Sequence, residues 1–405
     1  MGSIVLHNLT VSREDHGIRL RCSVSSHGLP DELWFLVKGL EISDFVLSSY
    51  NWAVIAMLLP AMYRGDDLVI QGRLSARLFT NVNNDLQAVL CIYDPRLNQI
   101  RLKTEELNNE PCPRSNRVGT GFSAGVDSFA TLLLFAESNP TAGISVTDLC
   151  TFNVGAMGAY NKPGVAELFK QYCDRTKRYA RTRGLQDISV DSNISDFYTG
   201  LGFQKTHTFR NISAALALEG VLDYYLYSSA VEYRDIRIAE GADSAYMDPI
   251  LLPLLSTENL TFISAGAGLS RYKKTALIAG QPDAQSMLDV CVEPAAKRLS
   301  FVRPNCSRCW KCSRVLISLE SLGLLEDFGQ VFDLEYYQQN KKKLYAALLV
   351  NALGGNQLDR EVVLEAKAAG LRINVTPTVL IRHVSKRMGR QLKKMFKGLV
   401  NVKCL

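Results

Sequence analysis

Cys306, Cys309 and Cys312 form a Cys-x2-Cys-x2-Cys run. In a reducing compartment, thiols clustered this closely point to metal or redox chemistry. Three thiolates are one short of the tetrahedral set that structural zinc prefers. The nearest upstream cysteine, Cys291, is separated from Cys306 by fourteen residues and completes a closed four-thiolate set. Zinc is the ion this set predicts. Four thiolates also suit an iron–sulfur cluster, whereas a redox dithiol needs only two of them. Interleaved Arg303, Arg308, Lys311 and Arg314 offset the negative charge of such a site. Cys22, Cys91, Cys112, Cys150, Cys173 and Cys404 are scattered singly and read mostly as buried thiols.

A second chemical pattern is Gly121-Phe122-Ser123-Ala124-Gly125-Val126-Asp127-Ser128, which follows a short strand signal and runs into an apolar helix. Glycine lets a backbone come close to a phosphate, and a helix N-terminus aims unpaired N–H groups and a positive dipole end at the anion. Ser123 and Ser128 supply hydroxyl donors, and Asp127 is a carboxylate able to hold magnesium. The Walker pattern is excluded, because Gly-Lys-Ser/Thr is absent. The plain structural alternative is an Asp or Ser cap at an ordinary strand-to-helix turn.

The loop resembles the Ser-Gly-Gly-x-Asp-Ser pyrophosphate loop (PP-loop) of the N-type ATP pyrophosphatases, which split ATP between its α and β phosphates. Together with the late cysteine run and the pair Arg210-Asn211, it is similar to the 7-cyano-7-deazaguanine synthase (QueC) family over residues 117 to about 320. The resemblance implies a parallel α/β sheet wrapped by helices and the cofactors ATP, magnesium and zinc. It also implies adenylation of a deazaguanine-type carboxylate, with ammonia or an amine displacing AMP to give an amide and, after a second activation, a nitrile. In that reading Ser123, Ala124, Gly125, Val126, Asp127, Ser128, Asn153 and Asn211 face the nucleotide, and Asp127, Ser128, Arg210 and Lys273 carry the chemistry. Arg271 and Lys274 lie beside Lys273. Ala124 occupies the place of the family's first loop glycine, and a left-handed conformation there costs alanine about 1–2 kcal/mol. The extra terminal regions resemble those of diverged members in bacterial defence systems, where the acceptor is a macromolecule or protein partner. Two other readings stand beside this one: RNA base modification through an adenylated base oxygen, and a nucleotide-binding scaffold whose loop is worn.

These residues need elements to position them. Residues 1–112 read as a β-rich accessory domain, with strict alternation in Ile18–Ser25 and again in Gln99–Leu102, an ambiguous apolar run in Leu33–Val37 and a helix at Trp52–Tyr63. Two prolines mark a linker at 109–116. Residues 117–290 alternate strand and helix, which predicts a parallel sheet with ligands at the carboxyl ends of its strands. Strand signals recur at Val118–Phe122, Asp148–Val154, Ile188–Val190, Tyr224–Ser228 and Leu260–Ser264. The helical runs between them are Ser128–Glu137, Val165–Thr182, Asn211–Gly220 and Lys273–Ala279. Residues 291–405 read as a zinc-binding, helical region with helices at Lys341–Leu353 and Asp359–Gly370. His207 and His383 read as ordinary histidines.

The chain has 405 residues, enough for two or three domains, and its 47% hydrophobic and 21% charged content excludes wholesale disorder. No apolar run is long enough for a membrane span, and Met1-Gly2-Ser3 leads into no secretory signal, so a cytoplasmic protein is expected. The net charge is +6, but eight Lys or Arg and no carboxylates fall in 382–405, leaving residues 1–381 at −2. The bulk of the chain therefore does not read as nucleic-acid-binding by charge, and the tail reads as a solvated helix or as a contact for an acidic partner, RNA or membrane surface. Oligomeric state stays open, a homo-oligomer included.

Overall fold

A computed structural model describes residues 2–375, apart from 15, 46–48, 137, 140–142 and 242. The basic tail, His383 and Cys404 lie outside the described residues. The described chain divides into two compact units, 1–269 with 294–299, and 270–293 with 300 onward.

The first unit is α/β and is organised by one ten-stranded sheet, six of whose nine strand pairs are parallel. Its strands are β1 (Ser3–Glu14), β2 (Gly17–Ser25), β3 (Glu32–Lys38), β4 (Asp67–Ser75), β5 (Leu102–Asn108), β6 (Val118–Gly121), β7 (Asp148–Asn153), β8 (Gln186–Ser192), β9 (Tyr224–Ser228) and β10 (Thr261–Ala265). Across the sheet they run β10-β9-β6-β7-β8-β3-β2-β1-β4-β5. Strands β6 to β10 are mutually parallel, which suits their short, largely apolar sequences with helices between them.

Alternation in β2 is real: Ile18, Leu20, Cys22 and Val24 are buried while the residues between them are only half-covered. The run Leu33–Val37 is a strand inside β3, which pairs antiparallel with β8 through Phe35↔Ser192 to Lys38↔Ser189. The boundary expected near 112–117 thus falls between β5 at one edge of the sheet and β6 in its interior. Residues 1–112 and 117–269 share one sheet and one hydrophobic core. The alternation at Gln99–Leu102 precedes its strand instead of forming it, because β5 begins at Leu102.

The helix Asn51–Arg64 buries twelve of its fourteen residues and packs against the helix Phe203–Leu216. At its start, buried Asn51 joins distant parts of the unit. Its Nδ2 donates to Glu219 at 2.7 Å, and its Oδ1 accepts the Ser75 N–H at 2.9 Å. The second Glu219 oxygen accepts from Thr257 Oγ1 at 2.5 Å. Burial raises the Glu219 pKa against the pull of these hydrogen bonds.

The second unit is helical, with Arg271–Ala279, Trp310–Ser321, Leu334–Leu353 and Gln357–Ala368 as its main elements. Among the described residues no helix is long and apolar enough to cross a membrane. Replacing Asn51 by alanine strands a buried carboxylate oxygen and a buried backbone N–H, each costing about 1–3 kcal/mol. Urea unfolding of Asn51→Ala should show a loss of about 2–5 kcal/mol with unchanged m.

Candidate functional site

The order of the parallel strands locates the first site. From β6 the chain steps to β7 and β8 on one side, then returns to β9 and β10 on the other. The direction of winding switches between β6 and β9, and in open α/β sheets ligands lie outside the carboxyl ends of the strands at such a point. The loop that leaves β6 is Phe122–Gly125.

Phe122 N–H donates to Cys150 O at 2.8 Å, which ties the loop to β7. Ala124 is wholly buried and left-handed, with φ 56°. That is the conformation for which glycine is the easy residue, so the alanine carries the expected cost of about 1–2 kcal/mol. The helix Val126–Leu134 starts immediately after Gly125, and no side chain caps it. Exposed Ser123 accepts the Gly125 N–H on its hydroxyl oxygen at 3.2 Å, leaving its own proton to donate. Ser128 behaves differently from expectation: it is buried, and its hydroxyl donates back to Gly125 O at 3.0 Å. Asp127 is half-buried in the first turn, where a carboxylate is favoured by the helix dipole. Beneath the loop, Phe122 stacks on Tyr179 at 4.8 Å and meets Phe129 edge-on at 5.4 Å. Arg175 Nη2 donates to the Ser123 carbonyl at 2.8 Å.

At the end of β7, Asn153 is 2% exposed and pairs in register with Asp191 of β8. Its Nδ2 donates to Asp191 Oδ1 at 2.8 Å, while its own buried Oδ1 has no hydrogen-bond partner among the described residues. Burial pushes Asp191 above the ordinary aspartate range.

Arg210, on the helix Phe203–Leu216, reaches back to the same strand ends. It is 5% exposed and donates to Thr206 Oγ1 (3.0 Å), Ser195 Oγ (3.0 Å) and Val154 O (3.3 Å). Its guanidinium lies over Tyr198 at 4.1 Å, and the buried Tyr198 hydroxyl has no hydrogen-bond partner among the described residues. The approach requires a bare backbone at Gly155, which has φ 118° and where a Cβ would stand 2.8 Å from Arg210 Nη1. No carboxylate neutralises this arginine among the described residues, and burial lowers its pKa. A buried cation held only by neutral groups is an anion-binding arrangement.

Asn211 does not join Arg210. Its Nδ2 donates to the His207 carbonyl at 2.8 Å. His207, which reads as an ordinary residue in sequence, bridges Asp243 Oδ1 (2.9 Å) and the Tyr227 hydroxyl (3.1 Å). Beside it, Thr208 donates to the wholly buried Asp248 at 2.7 Å, and Asp248 Oδ2 has no hydrogen-bond partner among the described residues. Burial pushes Asp248 up to about 6. The only sequence signal for this network was two carboxylates, Asp243 and Asp248, in a short segment between strands.

Lys273 stands in the second unit, on the helix Arg271–Ala279, and is exposed; its neighbour Lys274 is 1% exposed. The same unit holds the cysteines. The four Sγ atoms of Cys291, Cys306, Cys309 and Cys312 all lie within 4.8 Å of one another. Tetrahedral zinc with bonds of about 2.3 Å separates its sulfurs by about 3.8 Å, so the donor set fits. Ser307 is left-handed (φ 56°), and Cys309 N–H points to Cys306 Sγ at 3.2 Å, so the backbone curls around the thiols. Asn305 fastens that curl to the segment bearing Cys291, accepting Val290 N–H at 2.8 Å and donating to Leu288 O at 2.7 Å. Hydrogen bonding among the thiols, from Cys291 first, pushes Cys306 and Cys309 down, while Cys291 and Cys312 are pushed up. A bound cation is what allows all four to ionise together.

Two outcomes follow from this geometry. The purified chain should carry one zinc, and Cys312→Ser should weaken zinc affinity at least about 10–100-fold, measured by metal analysis and chelator competition. For Asp248, the folded pKa of about 6 lies above the ordinary 3.8, so the folded state binds the extra proton between those values. Its contribution to stability is therefore full below about pH 4 and is lost as pH rises through about 6. The difference in unfolding free energy between wild type and Asp248→Asn should shift by on the order of 2–3 kcal/mol across that window. The chain matches no protein-family model, no curated protein and no solved structure.

Proposed function

We propose that the carboxyl edge around β6 is a PP-loop site that activates a carboxylate with ATP, as in the QueC-like enzymes the motifs resemble. The observation that carries this reading is the bend from Ser123 to Ser128. It leaves a buried strand at the switch point, turns through a left-handed residue and ends in a helix with no side-chain cap. Such a bend suits a pyrophosphate group, which takes backbone N–H donors and the positive end of the helix.

A carboxylate is a poor electrophile at neutral pH, and transfer of AMP gives it a good leaving group. In the proposed reaction the carboxylate oxygen attacks the α phosphorus and pyrophosphate departs. The N–H groups of the first helical turn and the Ser123 hydroxyl hold the departing charge. Asp127, half-buried beside that turn, is the residue that would hold magnesium, which supplies further charge neutralisation. Arg210 would anchor the anionic substrate, since its charge has no acidic partner among the described residues. Asn153 Oδ1 offers an acceptor to the bound molecules. A nitrogen nucleophile then forms the C–N bond and AMP leaves, giving an amide. A second activation of that amide would give a nitrile. Lys273 is exposed, and Lys274 is the buried cation of that pair. A four-thiolate zinc in the second unit has no open position and serves structure.

The test is incubation with ATP, magnesium, ammonium and a panel of deazaguanine acids, with AMP resolved from ADP. AMP and pyrophosphate should appear in equal amounts with at least one acid, and Asp127→Asn should lower the rate at least about 100-fold without changing zinc content. Formation of ADP alone, or no AMP with any acid, overturns the reading. Tight nucleotide binding without turnover would point instead to a scaffold.

A further inference from the structure

Two buried polar atoms without hydrogen-bond partners stand in one part of the first unit, near the end of β9. Asp248 is wholly buried; Thr208 donates to its Oδ1 at 2.7 Å, and its Oδ2 has no partner among the described residues. Pro249 follows it and offers no N–H. Tyr93 is 2% exposed, and its hydroxyl is also without a partner among the described residues. Its ring borders the segment that carries Asp243, where a Cβ at Gly241 would stand 2.7 Å from it. Burial, and after it the charges of Asp243, Asp94 and Asp248, push the Tyr93 hydroxyl pKa up, so the phenol stands in the field of all three.

The neighbouring carboxylates are partnered. Arg96 and Lys205 bind Asp94 at 2.6 and 3.2 Å, and His207 meets Asp243 at 2.9 Å. Asp248 forms no ion pair among the described residues. Neutral hydroxyls surround it instead: Thr208 Oγ1 lies 2.8 Å from Ser244 Oγ, and the Tyr227 hydroxyl lies 3.1 Å from His207. A buried water can join an orphan hydroxyl to an orphan carboxylate oxygen, but it leaves the charge uncompensated. A cation meets both needs. Calcium takes about six to eight oxygens and magnesium a rigid octahedral set, more than one carboxylate and a few hydroxyls supply. An ammonium ion donates in tetrahedral directions, which a carboxylate and hydroxyl oxygens satisfy, and an adjacent aromatic ring favours it further.

We propose that an ammonium ion binds here, donating to Asp248 Oδ2 and to the Tyr93 hydroxyl oxygen. The side chains of His207 and Asp243 are 15% and 37% exposed, so the cluster opens to solvent on the Asp243 side. Use of this ion as the nitrogen source for an amide rests on the carboxylate-activating reading. Its binding does not depend on whether the loop splits ATP.

The test uses the full, zinc-loaded chain at pH 7.5 without ATP, titrated with ammonium chloride and read by its thermal midpoint. Tetramethylammonium chloride, whose cation is too bulky for the cluster, keeps ionic strength constant. The midpoint should rise saturably, by about 2–4 °C once ammonium exceeds its Kd tenfold. Asp248→Asn should abolish the rise, and Tyr93→Phe should weaken ammonium affinity about tenfold, both with zinc content unchanged. No response in the wild type overturns the proposal, since the cluster would then hold water. An equal rise in Asp248→Asn overturns it, as does an equal or larger response to potassium or sodium at the same concentration. A saturable, Asp248-dependent rise in a chain that forms no AMP with any acid supports the site and overturns only the carboxylate-activating reading.

Discussion

A buried strand of four residues stops in the interior of a ten-stranded sheet, and the backbone must turn there without leaving polar groups unpaired. β6 meets this constraint by handing its last amide bond to Cys150 O, passing through left-handed Ala124 and entering a helix at once. The solution has a consequence. The first-turn N–H groups of that helix point beyond the strand end, where no side chain caps them. Everything proposed for the loop follows from that uncapped end standing at the switch between β6 and β9. An alanine where glycine would be free of strain adds to the energetic cost of the same corner.

The unit also tolerates buried charges of a kind usually avoided. Arg210 is surrounded by hydroxyls, a carbonyl and an aromatic face, and Glu219 by hydroxyl and amide donors. Elsewhere the chain pairs such groups directly: Arg117 with Asp148, and Arg314 with Asp359. An uncompensated buried charge costs several kcal/mol, and the two cases meet that cost differently. Glu219 sits where the helix Asn51–Arg64, the strand β4 and the segment before β10 converge, and its pKa moves toward neutrality. Arg210 cannot neutralise itself, so its charge is met by the hydroxyls, the carbonyl and the Tyr198 ring around it. Its place at the ends of β7 and β8 makes it part of the same carboxyl edge as the loop.

The larger sheet depends on one antiparallel joint. β8 is the last of the parallel strands, and β3 takes its exposed edge. An open edge there would invite pairing with another chain. Residues 1–112 therefore complete the sheet and share its core, and Asn193, just past β8, bonds to Trp34 N–H and Glu32 O to fix the register. The helix Val165–Thr182 is amphipathic in a different sense. Its buried side is ordinary packing, while its outer side carries Lys170, Lys177, Arg178 and Arg181 together with Glu167 and Asp174.

The elements that were legible in the sequence are those whose burial is set by their own neighbours along the chain. Parallel strands covered on both faces read as short apolar runs, so β6 to β10 were each located to within about two residues. The amphipathic Val165–Thr182 helix has the bounds its periodicity gave. β1 escaped notice because a register shift between His7 and Thr10, with Asn8 left-handed, breaks its alternation. β5 is an edge strand with little burial to pattern it. The four cysteines were legible because three of them are nearly contiguous and thiol chemistry demands a fourth. What tertiary structure alone decided is which polar groups are deprived of water. Periodicity cannot choose between Lys273 and Lys274, nor show that His207 meets Tyr227 and Asp243, nor that Arg210 lacks an acid. Burial and pairing of a charged side chain are set by residues tens of positions away, and only the folded sheet brings those residues together.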